Sequence, residues 1–78
     1  MTDRVPSYSS QDLIRALHKL GFHEKSGGKG SHTKLIHPQL RGSLTIPSNR
    51  NLGKGLRVVL IKQIELMGIE RKRLLDIL

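Results

Sequence analysis

Cysteine and tryptophan are missing from this 78-residue chain, and Tyr8 and Phe22 are its only aromatic residues apart from histidine. Without cysteine there is neither a disulfide framework nor a thiolate metal site. The fold must rest on one hydrophobic core, near the lower size limit for a domain that folds alone. Two aromatics are too few for an RNA-recognition sheet or a single-strand groove built on stacked rings. No apolar run is long enough to span a bilayer or to form a signal-peptide core, so a cytoplasmic protein without membrane contact is expected. Acidic residues are scarce too. Six Asp and Glu stand against fourteen Lys and Arg, a net charge of +8. So basic a small domain favours a polyanionic partner, most simply nucleic acid, bound through its phosphates. No Asp or Glu clusters beside the histidines, so neither a catalytic metal site nor a cofactor is expected.

What is present organises into one domain over residues 9–78, after a flexible lead-in over residues 1–8. Ser9 is placed to cap a helix, with Asp12 in the capping-box position and Tyr8 and Leu13 as a hydrophobic staple. Leu13, Ile14, Leu17 and Leu20 then recur at helical spacing, and Gly21 stops the helix. Three short strands follow, at Phe22–Ser26, Ser31–His37 and Ser43–Ile46, with Phe22 as a plug between helix and sheet and with turn residues around Pro38 and Gly42. Leu56, Val59, Leu60, Ile61, Ile64 and Met67 form the stripe of a second long helix ended by Gly68. Glu70–Leu78 forms a short last helix whose leucines need a surface to cover, on the domain or on a partner. The fold class is α+β: a helix, a three-stranded antiparallel meander and a helix, with both long helices on one sheet face.

The second strand admits two registers because Leu35 and Ile36 are adjacent. With Leu35 inward, His32, Lys34 and Ile36 share the outer face; with Ile36 inward, His32 turns into the core. The first is favoured, since burying Lys34 would be costly.

The stretch around which these elements are arranged is Gly27-Gly28-Lys29-Gly30-Ser31-His32. Glycines permit close backbone approach to a ligand, lysine supplies positive charge, and histidine exchanges a proton near neutrality. That combination suits a phosphodiester. It equally suits a plain hairpin loop whose Ser31-His32 merely begins a strand.

A wider set of residues resembles a known family. Gly30-Ser31-His32 opens the second strand, His37-Pro38 ends it, and Ile46-Pro47 closes the third. Gly53-Lys54-Gly55-Leu56-Arg57 starts the second long helix, and Gly68-Ile69 precedes a leucine-rich tail. In this order the chain, from about Ser9 to Leu78, resembles the HicA family of toxins from toxin–antitoxin modules. The resemblance implies a fold like the double-stranded RNA-binding domain, degradation of messenger RNA and neutralisation by a HicB antitoxin. It matches the family's active histidine to His32, with Gly30 and Ser31 as supporting residues. The chain departs from the family pattern at Gln39-Leu40-Arg41-Gly42, where an Asp-Gly turn is common. It departs again at Ser48-Asn49, where many members carry a further histidine.

The chemistry needed for such an activity can be assigned to residues. RNA carries its own nucleophile, the 2′-hydroxyl, so cleavage needs a base for that proton, positive charge at the phosphate and help for the leaving oxygen. His32 is the candidate general acid–base. Lys29 and Lys34 are candidate phosphate contacts, Lys25 and Arg41 wider guides, and Lys54 and Arg57 the basic start of the second long helix. His37, before Pro38 at a turn, reads as structural or exposed; His23, in the first strand without glycine or serine support, reads the same way, and His18 reads as an exposed surface residue. Two other classes remain open: a non-catalytic double-stranded RNA-binding domain, and an inactive toxin relative that only binds an antitoxin.

Overall fold

The first helix begins where Ser9 can satisfy backbone groups that a helix end leaves without partners. The Ser9 hydroxyl accepts from the Asp12 N–H at 3.1 Å, and the Asp12 carboxylate accepts from the Ser9 N–H at 3.1 Å. This reciprocal box starts α1 (Ser10–Lys19). Bonds from the Ser9 N–H and from its hydroxyl hold the Asp12 carboxyl below its ordinary value. On either side of the box, Tyr8 and Leu13 are buried, as a staple requires. The helix closes at Gly21, whose φ of 101° lies in the left-handed region. There the Phe22 N–H reaches the Leu17 carbonyl and the Gly21 N–H the His18 carbonyl, the paired bonds of a Schellman stop.

The computed structural model describes residues 6–25, 32–48 and 51–78. After α1 come β1 (His23–Glu24), β2 (His32–Ile36), β3 (Leu44–Pro47), α2 (Lys54–Met67) and α3 (Arg71–Ile77). The strands form an antiparallel meander in the order β1-β2-β3. The helix–sheet–helix order agrees with the sequence reading. β1 starts one residue later than expected, because Phe22 does not pair but turns inward as the plug, buried and edge-on to the His37 ring at 5.0 Å; Ser26, the expected end of this strand, lies outside the described residues.

One apolar cluster joins the inward faces. Leu13, Ala16 and Leu17 of α1 meet Leu35, Leu44 and Ile46 of the sheet, together with Leu60, Ile61 and Ile64 of α2. The opposite sheet face is exposed at His32, Lys34 and Thr45, which places both long helices on one side. Leu74 of α3 is completely buried, and Ile77 and Leu78 pack on the same cluster, so the last helix covers the domain itself. The second-helix stripe needs correction. Leu56 and Val59 were expected in the core but are 39% and 48% exposed. The inward edge of α2 runs instead through Leu60, Ile61 and Ile64, with Arg57 half-buried at its first turn.

Two polar residues lock the ends of this core. The Tyr8 hydroxyl donates to the Arg57 carbonyl at 2.9 Å, tying the approach to α1 to the start of α2. His37 accepts from the Gln39 N–H at Nδ1, which leaves Nε2 to donate to the Leu20 carbonyl at 3.0 Å. The His37 ring also occupies the space beside Gly21, where a Cβ would lie 2.9 Å from Nε2. His37 is therefore structural.

Two stability outcomes follow. Ser9→Ala should cost about 1 kcal/mol and lower the melting temperature by about 4–8 °C, read by circular dichroism. Burial pushes the Tyr8 phenol up to about 12, with the Arg57 charge opposing the rise. Its stabilising contribution is thus complete below pH 10.0, its unfolded value, and is lost as pH rises toward about 12. Because Tyr8 is the only tyrosine, phenolate absorbance reads this group alone. Wild type should ionise it together with unfolding, and Tyr8→Phe should flatten the alkaline fall in stability.

Candidate nucleic-acid interface

The outward face of the sheet is built by strand periodicity, because successive side chains alternate between faces. Leu35 is fully buried, which sends Lys34 and Ile36 outward, and His32 with them. This is the register favoured from the sequence. Pairing then fixes the neighbours. Lys34 stands opposite Thr45 and His32 opposite Pro47. On the other side His23 faces Ile36 and Glu24 faces Leu35. The same register sets Lys25 against Lys34, and the Lys25 N–H bonds to the Lys34 carbonyl at 2.9 Å.

The result is a cationic row across the sheet, Lys25–Lys34–Thr45, with the exposed His32 imidazole one row away. Residues two apart on a strand are about 6–7 Å apart, and adjacent strands about 4.8 Å. His32 and the two ammonium groups therefore flank a space on the scale of one nucleotide step. Like charges directly opposite on a sheet repel, so this row is better suited to a bound anion than to an empty surface. Behind it, the half-buried Thr33 hydroxyl meets the Ser48 hydroxyl at 2.5 Å and ties the start of β2 to the exit of β3. Ser48 thus has a structural task at one of the positions where the sequence departs from the family pattern.

The other sequence candidates lie elsewhere. Lys29, Gly30 and Ser31, with the loop from Gly27, fall outside the described residues, as does Asn49. Arg41 is exposed in the β2–β3 turn, at the end of the sheet away from His32. Lys54 is exposed at the first position of α2. Arg57 is half-buried and donates from Nη1 to the Leu52 carbonyl at 2.7 Å, so its guanidinium serves the loop before α2. Of the four histidines, His32 and His23 share the outer face, His37 is locked in the frame, and the exposed His18 lies 4.0 Å from Glu24 Oε2. The sequence reading gives His23 no place on this face; a register count from Leu35 across to β1 is the signal that sets it there. Among the described residues no three His, Asp or Glu converge as a metal site, and no helix is long and apolar enough to cross a membrane.

The Lys25–Lys34 pair generates a test. Lys34→Ala should leave stability unchanged or slightly raised, because a repulsion is removed. RNA binding should weaken, and the slope of log K against log salt should shrink by about 0.7–0.9 for the lost phosphate contact. Titrating a labelled RNA at several salt concentrations, beside thermal melts, measures both. An unchanged slope would remove Lys34 from the interface.

Comparison with curated proteins and with solved structures gives no match. The family model described as "HicA toxin of bacterial toxin-antitoxin" matches residues 10–66, from the first turn of α1 to the end of α2. That span holds the whole sheet and its cationic face, and covers well over half of the chain: this protein belongs to the HicA toxin family.

Proposed function

We propose that this chain is an endoribonuclease toxin that cleaves messenger RNA without a metal, using His32 as its general acid–base, and that a HicB-like antitoxin silences it. The observation that carries the reading is the exposed His32 imidazole, two residues along β2 from Lys34 and on the same face as the Lys25–Lys34 row, in a chain of this family. The element order suits the fold like a double-stranded RNA-binding domain that the family resemblance implies.

In this reading neutral His32 takes the proton of the 2′-hydroxyl as the 2′-oxygen attacks the adjacent phosphorus. Lys34 and Lys25 offset the negative charge that gathers on the phosphoryl oxygens. The bond to the 5′-oxygen then breaks, and the imidazolium returns its proton to that leaving oxygen. The products are a 2′,3′-cyclic phosphate and a 5′-hydroxyl end. Gly30 and Ser31 would set the approach of the backbone and the orientation of the ring. One acid–base residue is a modest apparatus, in keeping with a toxin rather than a digestive nuclease.

His32→Ala tests the reading. An exposed strand residue can be truncated with little change in stability, within about 0.5 kcal/mol, whereas loss of a general acid–base should cut the cleavage rate roughly 10²–10⁴-fold. RNA affinity should largely persist. A folded His32→Ala protein that cuts at the wild-type rate would refute the assignment. Wild type that binds RNA and never cuts it would establish a non-catalytic RNA-binding domain instead.

A further inference from the structure

A second surface, separate from the cationic face, lies along the free edge of the sheet. Among the described residues β3 pairs only with β2, at one end of the sheet order. Its exposed backbone groups can be identified. The Lys25 N–H bonds to the Lys34 carbonyl, which turns the polar backbone of Lys34 toward β1. Backbone direction alternates along an antiparallel ladder, so Thr33 and Leu35 bond toward β3, to their partners Ile46 and Leu44. Thr45, lying between those partners, directs its N–H and C=O outward, as does Ser43. Pro47 holds the next outward position, where a missing N–H interrupts no pairing within the sheet.

Beside this edge runs a groove of about 400 Å³, between Ser43–Thr45 and the Gln63, Leu66 and Met67 side of α2. Leu66 is 88% exposed at its rim. Leu56, Val59, Gln63 and Leu66 follow at spacings of three, four and three, which sets them on one helix face. A folded domain seldom leaves a lengthwise apolar stripe uncovered without a partner for it.

We infer that the β3 edge and the adjoining face of α2 form a docking site for an extended, acidic polypeptide segment that adds as a fourth strand. Main-chain bonds to Ser43 and Thr45 would hold it, and its alternate apolar side chains would fill the groove beside Leu66 and Met67. Charge selects the occupant. Arg41 and Lys62, both exposed, are the chain neighbours of the lining residues Gly42 and Gln63, while the carboxylate of Glu65 is engaged by Arg71 at 2.8 Å. A second copy would bring a further charge of +8 against the first, so an acidic partner fits where a second copy repels. A strand added here would set an outward acidic side chain beside Thr45, two strands and about 10 Å from Lys34. From the edge it would reach the cationic row. Only the identification of this segment with an inhibitor of RNA cleavage rests on the function proposed above.

The test uses the full chain and a displayed library of short peptides in which apolar positions alternate with Asp or Glu, beside a library with Lys in their place. The best-binding acidic peptide is synthesised and titrated into isotope-labelled protein. Shifts should concentrate at Ser43–Ile46 and Gln63–Met67. Leu66→Glu should weaken binding about tenfold, as replacing an interface anchor does, with an unchanged melting curve because the residue is exposed. Thr45→Pro, which removes the outward N–H and none of the bonds to β2, should weaken it as well, with a thermal melt to show that the sheet is kept.

No enrichment of acidic peptides would overturn the proposal. So would shifts confined to His23, His32 and Lys34 that ignore Leu66→Glu, since the peptide would then be binding the cationic face. Concentration-dependent shifts at the groove without peptide would assign the site to a second copy, and equal shifts with an RNA duplex to nucleic acid. His32→Ala should bind the peptide as wild type does. Peptide binding by a wild type that never cleaves RNA would leave the groove standing and remove the nuclease reading.

Discussion

The register of β2 is the constraint on which the rest depends. Leu35 enters the core fully, and the period of two then sets the direction of every other side chain on the strand. A slip of one residue would bury His32 and Lys34 and expose Leu35. Desolvating an ammonium without a counter-charge makes that alternative strongly unfavourable. The packing that stabilises the domain therefore also sets the imidazole and the Lys25–Lys34 row on one exposed face. The tie between Thr33 and Ser48 holds this end of the strand against its neighbour.

Charge and packing are divided between different residues. Arg57 reads as a phosphate-binding group in the sequence, yet its Nη1 donates to the Leu52 carbonyl, and both ring nitrogens of His37 are engaged with main-chain partners at Leu20 and Gln39. Both fasten loops to the ends of helices. Lys34 and Lys25 stand as like charges opposite one another on the sheet. A surface carrying that repulsion is less stable alone than with an anion upon it, and in a chain of net charge +8 the free energy of binding draws on its relief. The exposed stripe on α2 is comparable: apolar groups left in water are stabilised when a partner covers them.

Much of the fold was legible because local signals agreed. The Ser9–Asp12 box, the staple and the stop at Gly21 each specify the same helix, and the structure shows the box and the stop with their hydrogen bonds and the staple residues buried. The β2 register was legible from the cost of burying Lys34. Less legible were features decided by tertiary contact. Leu56 and Val59 have helical spacing and apolar character, yet α2 rotates so that Leu60, Ile61 and Ile64 meet the sheet. Periodicity reports a stripe but not which edge of a broad one is covered. The bond from Tyr8 to the Arg57 carbonyl joins residues 49 apart, and nothing in either neighbourhood announces it. His23 is one position past a plug and has no motif of its own. Its place on the outer face comes only from pairing with Ile36.

The claim at the centre of this account is that the sheet face bearing His32 receives the RNA backbone. The most direct measurement binds an uncleavable 2′-O-methyl RNA to isotope-labelled protein and follows both amide and imidazole resonances. The account predicts that the His32 ring and the Lys25, Lys34 and Thr45 amides respond together, while the His37 ring, fixed between Leu20 and Gln39, does not. Responses confined to α2 and α3, with the His32 ring unmoved at saturation, would contradict it.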